Sequence, residues 1–164
     1  MKGSHPKKKR PFRKKLALHI ILKSSKAVGN KSFLAHGREV AKILKTQRQR
    51  HSITLYGVAN AGNHLHLLLQ APSREHLARF LKAITGRIAE SLTQGKGFWD
   101  ARPFSRIVSW GRQFRNVSKY LGINATETLG IARQDVKAIF EQIEGALERG
   151  HLKVTPGLVA AGFG

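Results

Sequence analysis

The chain contains no cysteine and only nine acidic residues among its 164. Without cysteine there are no disulfides and no thiolate metal sites, so a metal ion would have to be held by histidine, carboxylate or amide ligands. Long hydrophobic runs are also missing, and no signal-like apolar segment follows the basic N-terminus. We therefore expect a cytoplasmic protein with no membrane partner.

Basic residues, in contrast, are abundant. Thirty lysines and arginines give a formal net charge of +21, while 41% hydrophobic residues are enough for a core. The charge is uneven, because residues 1–126 hold 26 bases against four acids and residues 127–164 hold four bases against five acids. This distribution indicates a polyanionic partner for the first three quarters of the chain, and nucleic acid is a commoner partner than a membrane surface.

The chain divides into three parts by composition. Residues 1–15 carry eight bases, two prolines and no acid, which predicts a flexible basic arm that lies on phosphates. A nuclear import signal at residues 6–10 and a plain solubilising tail are the alternatives. Residues 16–130 form one predicted domain, and residues 131–164 supply a C-terminal helix and a frayed tail.

Hydrophobic periodicity predicts alternating strands and helices. Strands are expected at 16–24, 52–58, 65–70 and, as an edge strand, within 98–110; helices are expected at 32–50, 73–95, 112–124 and 136–147. This order is typical of an α+β protein with the split βαβ, ferredoxin-like arrangement, in which an antiparallel sheet has helices on one face. The other face would stay open for a ligand.

Two histidines interrupt the apolar strand that follows the turn at residues 60–63. His64 and His66 are two residues apart, so their side chains project from the same face and converge. A shared metal ion or phosphate explains such a pair, and the alternative is two half-buried histidines satisfied by the backbone. Asn63 and the basic, cysteine-free composition favour a divalent cation that handles phosphate. His19, in the first strand, is expected to be packed or hydrogen-bonded at the edge of the core rather than to be a ligand.

The helix at 112–124 carries a second pair of candidate residues. Tyr120 and Asn124 are four apart and share a helix face. A tyrosine hydroxyl, with a pKa of about 10, needs a metal-polarised phosphate before it can act as a nucleophile, and Asn124 could give a carbonyl oxygen to the same metal. The other tyrosine, Tyr56, is placed mid-strand, where its hydroxyl is less free. The alternative for Tyr120 is an amphipathic residue at the rim of the helix.

Three segments of the chain carry a combined pattern. They are residues 63–68 (Asn-His-Leu-His-Leu-Leu), Phe98-Trp99 leading to Phe104 and to residues 106–108 (Arg-Ile-Val), and residues 120–124 (Tyr-Leu-Gly-Ile-Asn). Together they resemble the single-tyrosine HUH transposases, and within them the REP-associated tyrosine transposases. The resemblance runs from about residue 16 to residue 130.

This resemblance implies an HUH endonuclease fold and an enzyme of DNA transposition and recombination, associated with the nucleoid. It implies that His64, His66 and Asn124 bind Mg²⁺ or Mn²⁺, and that Tyr120 attacks single-stranded or hairpin DNA. The products would be a 5′-phosphotyrosine intermediate and a free 3′-hydroxyl. The protein would be a monomer or a homodimer, and Tyr120 could serve its own chain's metal or that of a partner.

The sequence departs from the family pattern around both halves of this site. Ala61-Gly62 stands where the family has Met-Pro, Ala125 stands where it has proline, and Gly122 lies between the tyrosine and the asparagine. These changes leave a catalytically inactive, domesticated DNA-binding protein as an alternative. Charge alone would also suit a basic RNA-associated structural protein, in which His64, His66, Tyr120 and Asn124 need not converge.

Several basic side chains are candidates for holding the nucleic acid through its phosphates. Trp99 and Phe104 could stack on splayed bases, although packing is the ordinary role of such residues. The basic candidates are Lys8, Arg10 and Arg13 in the arm and Arg102, Arg106, Arg112 and Arg115 near the site.

Overall fold

Strands and helices follow one another in the predicted order. The computed structural model describes residues 9–93 and 97–127, together with Gln134 and Glu141. The predicted helix at 136–147, the tail and residues 1–8 of the arm therefore lie outside the described residues, apart from Glu141. The elements are β1 (Ala17–Lys23), a 3-10 turn (Gly29–Lys31), α1 (Gly37–Arg50), β2 (Thr54–Asn60), β3 (His64–Gln70), α2 (Arg74–Thr93), β4 (Phe104–Val108) and α3 (Arg112–Glu127).

The four strands form one sheet in the order β2-β3-β1-β4. Every neighbouring pair is antiparallel, so β1 and β2 run parallel to each other with β3 between them. This is the split βαβ arrangement, and the α+β, ferredoxin-like prediction is confirmed. In the register of the two central strands, Ile21 lies opposite His66 and Lys23 lies opposite His64.

Alternation along the central strands divides the side chains between two hydrophobic clusters. Leu18, Ile20, Leu65 and Leu67 face one side of the sheet and join the larger cluster. The helical partners in this cluster are Val40 and Leu44 of α1 and Leu77, Phe80, Ile84 and Ile88 of α2. Each such side chain contributes about 1.5–3 kcal/mol by leaving water, so this face is the main core.

The helix α3 packs on the opposite face of the sheet, mainly against β2. Its residues Val117, Leu121 and Ala125 join Leu68 and Ala59 in a smaller buried cluster. Gly57 permits a close approach, because a Cβ atom there would lie 3.4 Å from Cδ1 of Leu121. The expectation that all helices lie on one face is therefore wrong for α3, whose apolar residues bury Leu68 and Ala59 on the second face. The part of that face that stays open is a trough, with α3 on one side and β4 at the other edge.

The turn between β2 and β3 has a specific construction. Gly62 has φ +86°, a value that proline cannot adopt, and a Cβ atom added there would meet Leu34. The buried Asn60 amide donates to the carbonyl of Phe33 at 2.6 Å, and its oxygen accepts the Gly62 N–H at 3.1 Å. The turn that leads to His64 thus depends on a glycine at position 62 and is held by the side chain of Asn60.

The described end of the N-terminal arm is docked on the domain. The Arg10 guanidinium donates to the Pro103 carbonyl and to the Ser105 hydroxyl, both at 2.9 Å. Arg74 of α2 donates to the Arg10 carbonyl and lies over the ring of Phe12. The flexible arm remains a prediction for residues 1–8.

Among the described helices, none combines the length and the apolar character that crossing a membrane requires.

Candidate active site

Three elements bring histidine and tyrosine rings together on the α3 side of the sheet. His64 and His66 lie on the same face of β3, and their ring centroids are 4.8 Å apart. β1 adds His19, whose ring stacks on that of His66 with centroids 5.4 Å apart. α3 adds Tyr120, whose ring meets His66 edge-on with centroids 5.7 Å apart.

The His64 ring is oriented by the preceding residue. Nδ1 of His64 lies 2.6 Å from Oδ1 of Asn63. Because an amide oxygen only accepts hydrogen bonds, Nδ1 must carry the proton and donate it. In the neutral ring Nε2 then keeps its lone pair, which is the form that binds metal ions. Burial, and secondarily the charge of Lys23, lowers the pKa of His64, which favours this neutral form.

The His66 ring is held through the same atom but by a different partner. Its Nδ1 lies 3.1 Å from Nε2 of His19. His66 is only 3% exposed, and its Nε2 is the one buried side-chain nitrogen or oxygen without a hydrogen-bond partner among the described residues. Burial, followed by the neighbouring His64 and His19, lowers the pKa of His66 to about 4. The ring is therefore neutral at physiological pH, with an unpartnered nitrogen.

The two tyrosines differ in the freedom of their hydroxyls. Tyr120 is 42% exposed, and its hydroxyl makes no hydrogen bond within the described part of the chain. The Tyr56 hydroxyl donates to Oε1 of Gln70 at 2.8 Å, and burial raises the pKa of Tyr56. The expectation that Tyr56 is less free is confirmed, which leaves Tyr120 as the accessible hydroxyl.

The direction of α3 follows from its contacts along β2. Phe114, near the start of α3, packs against Tyr56 near the start of β2. Ala125, near the end of α3, belongs to the same buried cluster as Ala59 near the end of β2. The helix therefore runs in the direction of β2 and, since β2 and β3 are antiparallel, toward the N-terminal end of β3.

Asn124 is half-buried one turn after Tyr120, further along this direction. Four helical residues advance about 6 Å, and the step from His66 to His64 along β3 is about 7 Å. Because the Tyr120 ring contacts His66, we expect Asn124 to lie toward His64. Among the described residues no hydrogen bond joins Asn124 to either histidine.

The donor set of this site is imidazole and amide rather than carboxylate. Across residues 9–93 and 97–127, no three histidine, aspartate or glutamate side chains are grouped to hold a metal ion. The pair of imidazole nitrogens would therefore need an amide oxygen, a phosphate oxygen or water to complete a coordination shell. The unpartnered Nε2 of His66 and the oriented ring of His64 fit such a role.

The open side of the trough is basic and carries an exposed aromatic ring. Phe104 is 59% exposed on β4, and Arg106, two residues on, lies opposite His19. Lys23 lies beside His64 at the end of β1. These three side chains lie on the side of the trough that is opposite α3, with the histidines between.

The remaining basic candidates lie elsewhere. Arg13 and Arg102 are exposed, Arg10 is engaged by β4, and Lys8 is outside the described residues. Arg112 and Arg115 are exposed on α3, but Arg115 lies about 140° around the helix from Tyr120. Trp99 packs in the main core and donates its indole N–H to the Thr85 carbonyl.

Two members of the site were not selected from the sequence as functional residues. His19 is buried and hydrogen-bonded, as expected, but its partner is His66. No sequence motif indicated a functional role for Lys23. Side chains alternate along β1, so His19 and Lys23 lie on the same face of the sheet. Only the register of β1 against β3 shows that His64 and His66 lie on this face too.

Solved structures that share this fold include a REP-associated tyrosine transposase bound to a REP hairpin. It aligns with a TM-score of 0.65 and 12% sequence identity, over 96% of this chain and 97% of that chain. A candidate transposase from Deinococcus radiodurans R1 aligns with a TM-score of 0.46 and 22% identity, over 70% of this chain and 94% of that chain. No protein-family model and no curated protein matches the sequence. The first likeness shows that the chain has the HUH fold.

Proposed function

We propose that this chain is a metal-dependent, single-tyrosine DNA transposase that cleaves and rejoins single-stranded DNA. The observation that carries the proposal is the pairing of two imidazoles, each held through Nδ1, with the accessible hydroxyl of Tyr120. A transposase of the same fold supports the same class of reaction. The sequence resemblance to REP-associated tyrosine transposases agrees with it.

The metal ligands in this proposal are Nε2 of His64, Nε2 of His66 and the side-chain oxygen of Asn124. Their chemistry suits Mg²⁺ or Mn²⁺ only if phosphate oxygens and water complete the shell. When bound, the ion would neutralise charge on the scissile phosphate and polarise it. The protein's own contribution is to keep both imidazoles neutral and oriented.

His19 has a positioning role in this proposal. For Nε2 of His66 to keep its lone pair, Nδ1 of His66 must carry the proton and donate it to Nε2 of His19. His19 must then carry its own proton on Nδ1. The opposite direction of donation would put a proton on Nε2 of His66 and block coordination. In this proposal His19 accepts that proton and so holds the competent tautomer of His66, whereas the Asn63 oxygen can only accept from His64.

Tyr120 supplies the nucleophile. Its hydroxyl oxygen forms a bond to phosphorus while the bond from phosphorus to the 3′-oxygen breaks. The tyrosine proton passes to solvent, and the departing 3′-oxygen takes up a proton to become a hydroxyl. The 5′-phosphotyrosyl bond retains the energy of the broken phosphodiester, so the reverse attack by a 3′-hydroxyl rejoins DNA without ATP.

The single DNA strand would lie in the trough. Arg106 and Lys23 would contact phosphates, while the exposed ring of Phe104 would stack on an unpaired base. Such a combination of cations and an exposed aromatic ring suits single-stranded rather than paired DNA. Hairpin-bearing DNA is the proposed substrate, which the hairpin bound by the structural neighbour supports.

Two other functions make different predictions. A domesticated DNA-binding protein would bind the same strand but leave it uncut with any divalent metal. An RNA-associated structural protein gives no reason for His64, His66 and Tyr120 to meet, and their proximity favours the transposase. The deciding experiment is a search for a denaturant-resistant, metal-dependent adduct between the protein and hairpin-bearing single-stranded DNA.

A further inference from the structure

A second basic surface lies on the other side of the sheet, where α1 and α2 pack together. A shallow cleft of about 490 Å³ runs between the end of α1 and the middle of α2. Gln47, buried in the core side of α1, and Ala83 and Gly86 of α2 are among its lining residues. The cleft is separated from the histidines by the sheet itself.

The charge of this cleft is strongly one-sided. Its lining holds Arg50, Arg79, Lys82 and Arg87, against the single carboxylate of Glu90. Within the described part of the chain, the one ion pair joins His36 to Glu39 at the start of α1. No carboxylate in that part therefore lies within 4.0 Å of the cationic nitrogens of the cleft. Four cations gathered in a concavity without carboxylate partners attract an anion.

The titration of His51 is consistent with this positive potential. His51 lines the same cleft at the end of α1. Its pKa is lowered first by desolvation and then by the charges of Arg50, Arg79 and His76. The cationic form of the ring is thus disfavoured first by desolvation and then by its basic neighbours.

The shape of the positive surface indicates an extended anion. Arg79 and Arg87 are eight residues apart on α2, or about 12 Å, a distance over which one strand of a duplex carries three to four phosphates. None of the lining residues is Phe, Tyr or Trp. Proteins that hold unpaired strands stack bases on such rings, whereas contacts to a paired backbone need only cations.

We propose that this cleft binds the phosphodiester backbone of a DNA duplex. The unpaired strand would lie in the trough on the histidine face, and the paired stem next to it would be held on the α1–α2 face. The inference rests on the proposed function for the identity of the polymer. It does not depend on cleavage, because backbone binding requires neither Tyr120 nor a metal ion.

Gly86 offers a clean test of the charge. A Cβ atom at Gly86 would meet no atom within 4 Å, so the cleft can receive a side chain there without a clash. Gly86→Glu places a carboxylate among the cations, and Gly86→Gln is the matched neutral control. Both changes replace glycine within a helix and favour helix formation to a similar extent.

Binding is measured by fluorescence anisotropy with the full chain in EDTA. The probes are a DNA hairpin with a fully paired stem and an unpaired oligothymidine of the same charge. We expect Gly86→Glu to weaken hairpin binding about five- to tenfold. Gly86→Gln should bind the hairpin like the wild type, and neither variant should change oligothymidine binding by more than about twofold.

Equal hairpin affinities for the Glu and Gln variants would overturn the proposal. An equal loss with oligothymidine would also overturn it, since the effect would then be one of net charge. The plot of log K against log salt has a negative slope for the hairpin. A second variant, Arg79→Gln/Lys82→Gln, should make this slope less steep by about 2. If Gly86→Glu instead lost only binding to phosphatidylserine vesicles, the cleft would be a membrane-facing surface and the duplex assignment wrong.

These results are separate from those that test cleavage. Loss of stem binding in Gly86→Glu, together with absence of any covalent adduct in the wild type, would support the cleft while rejecting the tyrosine chemistry.

Discussion

Nε2 of His19 and Nδ1 of His66 lie 3.1 Å apart on neighbouring central strands of the sheet. One of these two nitrogens must donate to the other, and the choice fixes which nitrogen of His66 is left with a lone pair. The atom at stake, Nε2 of His66, is buried and has no hydrogen-bond partner among the described residues. The hydrogen bond between the His19 and His66 side chains thus determines whether the candidate metal site can form.

Replacement of His19 tests this relationship. Glutamine can accept a hydrogen bond from His66, whereas leucine cannot, so His19→Leu should lower Mn²⁺ affinity about 10–100-fold and His19→Gln much less. Calorimetry with Mn²⁺ measures the affinity. The ¹⁵N chemical shifts of the metal-free His66 ring report its tautomer. If His19 had a merely structural role, its replacement would leave this tautomer unchanged.

In the wild type and His19→Gln, the shifts should identify Nδ1 of His66 as the protonated nitrogen. A wild-type ring protonated on Nε2 would contradict the positioning role, as would equal Mn²⁺ affinities for the leucine and glutamine variants. Thermal unfolding curves show whether each variant is folded before its affinity is compared.

Asn63 should act on His64 in the same way. Asn63→Ala removes the oxygen that accepts the Nδ1 proton at 2.6 Å, while Asn63→Asp keeps an acceptor. We expect the alanine variant to bind Mn²⁺ about tenfold more weakly than the aspartate variant, since partners of metal-bound histidines hold the ring orientation. Similar affinities in the two variants would mean that the contact does not orient the ring.

The buried His66 should also make the metal-free protein sensitive to acid. The pKa of His66 is about 4 in the folded state and about 6.5 when unfolded, so the unfolded chain binds the extra proton as the pH falls below about 6.5. Stability should be lost through this window, by up to about 3 kcal/mol once the pH reaches 4.

Urea unfolding in EDTA at pH 8 and at pH 4 measures this loss. His66→Leu, which has no titrating ring, should lose less stability than the wild type over the same interval, although His19 and His64, whose pKa values are also lowered, still contribute. A leucine variant with the same loss as the wild type would show that His66 is not the group responsible.

Local sequence pattern predicted the order of the described strands and helices and the two residue pairs of the candidate site. The spacing of two in β3 puts His64 and His66 on one face, and the spacing of four in α3 aligns Tyr120 with Asn124. The start of α2 agrees with the predicted helix at 73–95, and the Ser73 hydroxyl accepts the His76 N–H as an N-cap does. Each of these relations is contained within one element or its end.

Relations between elements were harder to predict. That α3 covers the histidine face follows from its apolar stripe meeting Leu68 and Ala59 of the sheet. That His19 reaches His66 follows from the register of β1 against β3. Neither the packing partner of a helix nor a strand register is expressed in the periodicity of one segment, which explains why His19 was expected only to be packed or hydrogen-bonded.

Phe104 should contribute to binding of an unpaired strand. It is exposed on β4 and so adds little to the core, but a base stacked on it is worth about 1–3 kcal/mol. Phe104→Ala should therefore weaken oligothymidine binding by about 5- to 150-fold, and Phe104→Tyr should retain it. Anisotropy titrations measure both, and wild-type affinity in the alanine variant would remove Phe104 from the strand path.

The central claim concerns Tyr120, and the second tyrosine provides its control. Tyr56 is engaged with Gln70, so Tyr56→Phe loses a hydroxyl of the same kind away from the histidines. The most direct measurement is denaturing electrophoresis of each protein after incubation with labelled hairpin-bearing single-stranded DNA and Mn²⁺. A covalent adduct should form with the wild type and Tyr56→Phe, disappear in EDTA and be absent from Tyr120→Phe. An adduct of wild-type yield in Tyr120→Phe would contradict the account.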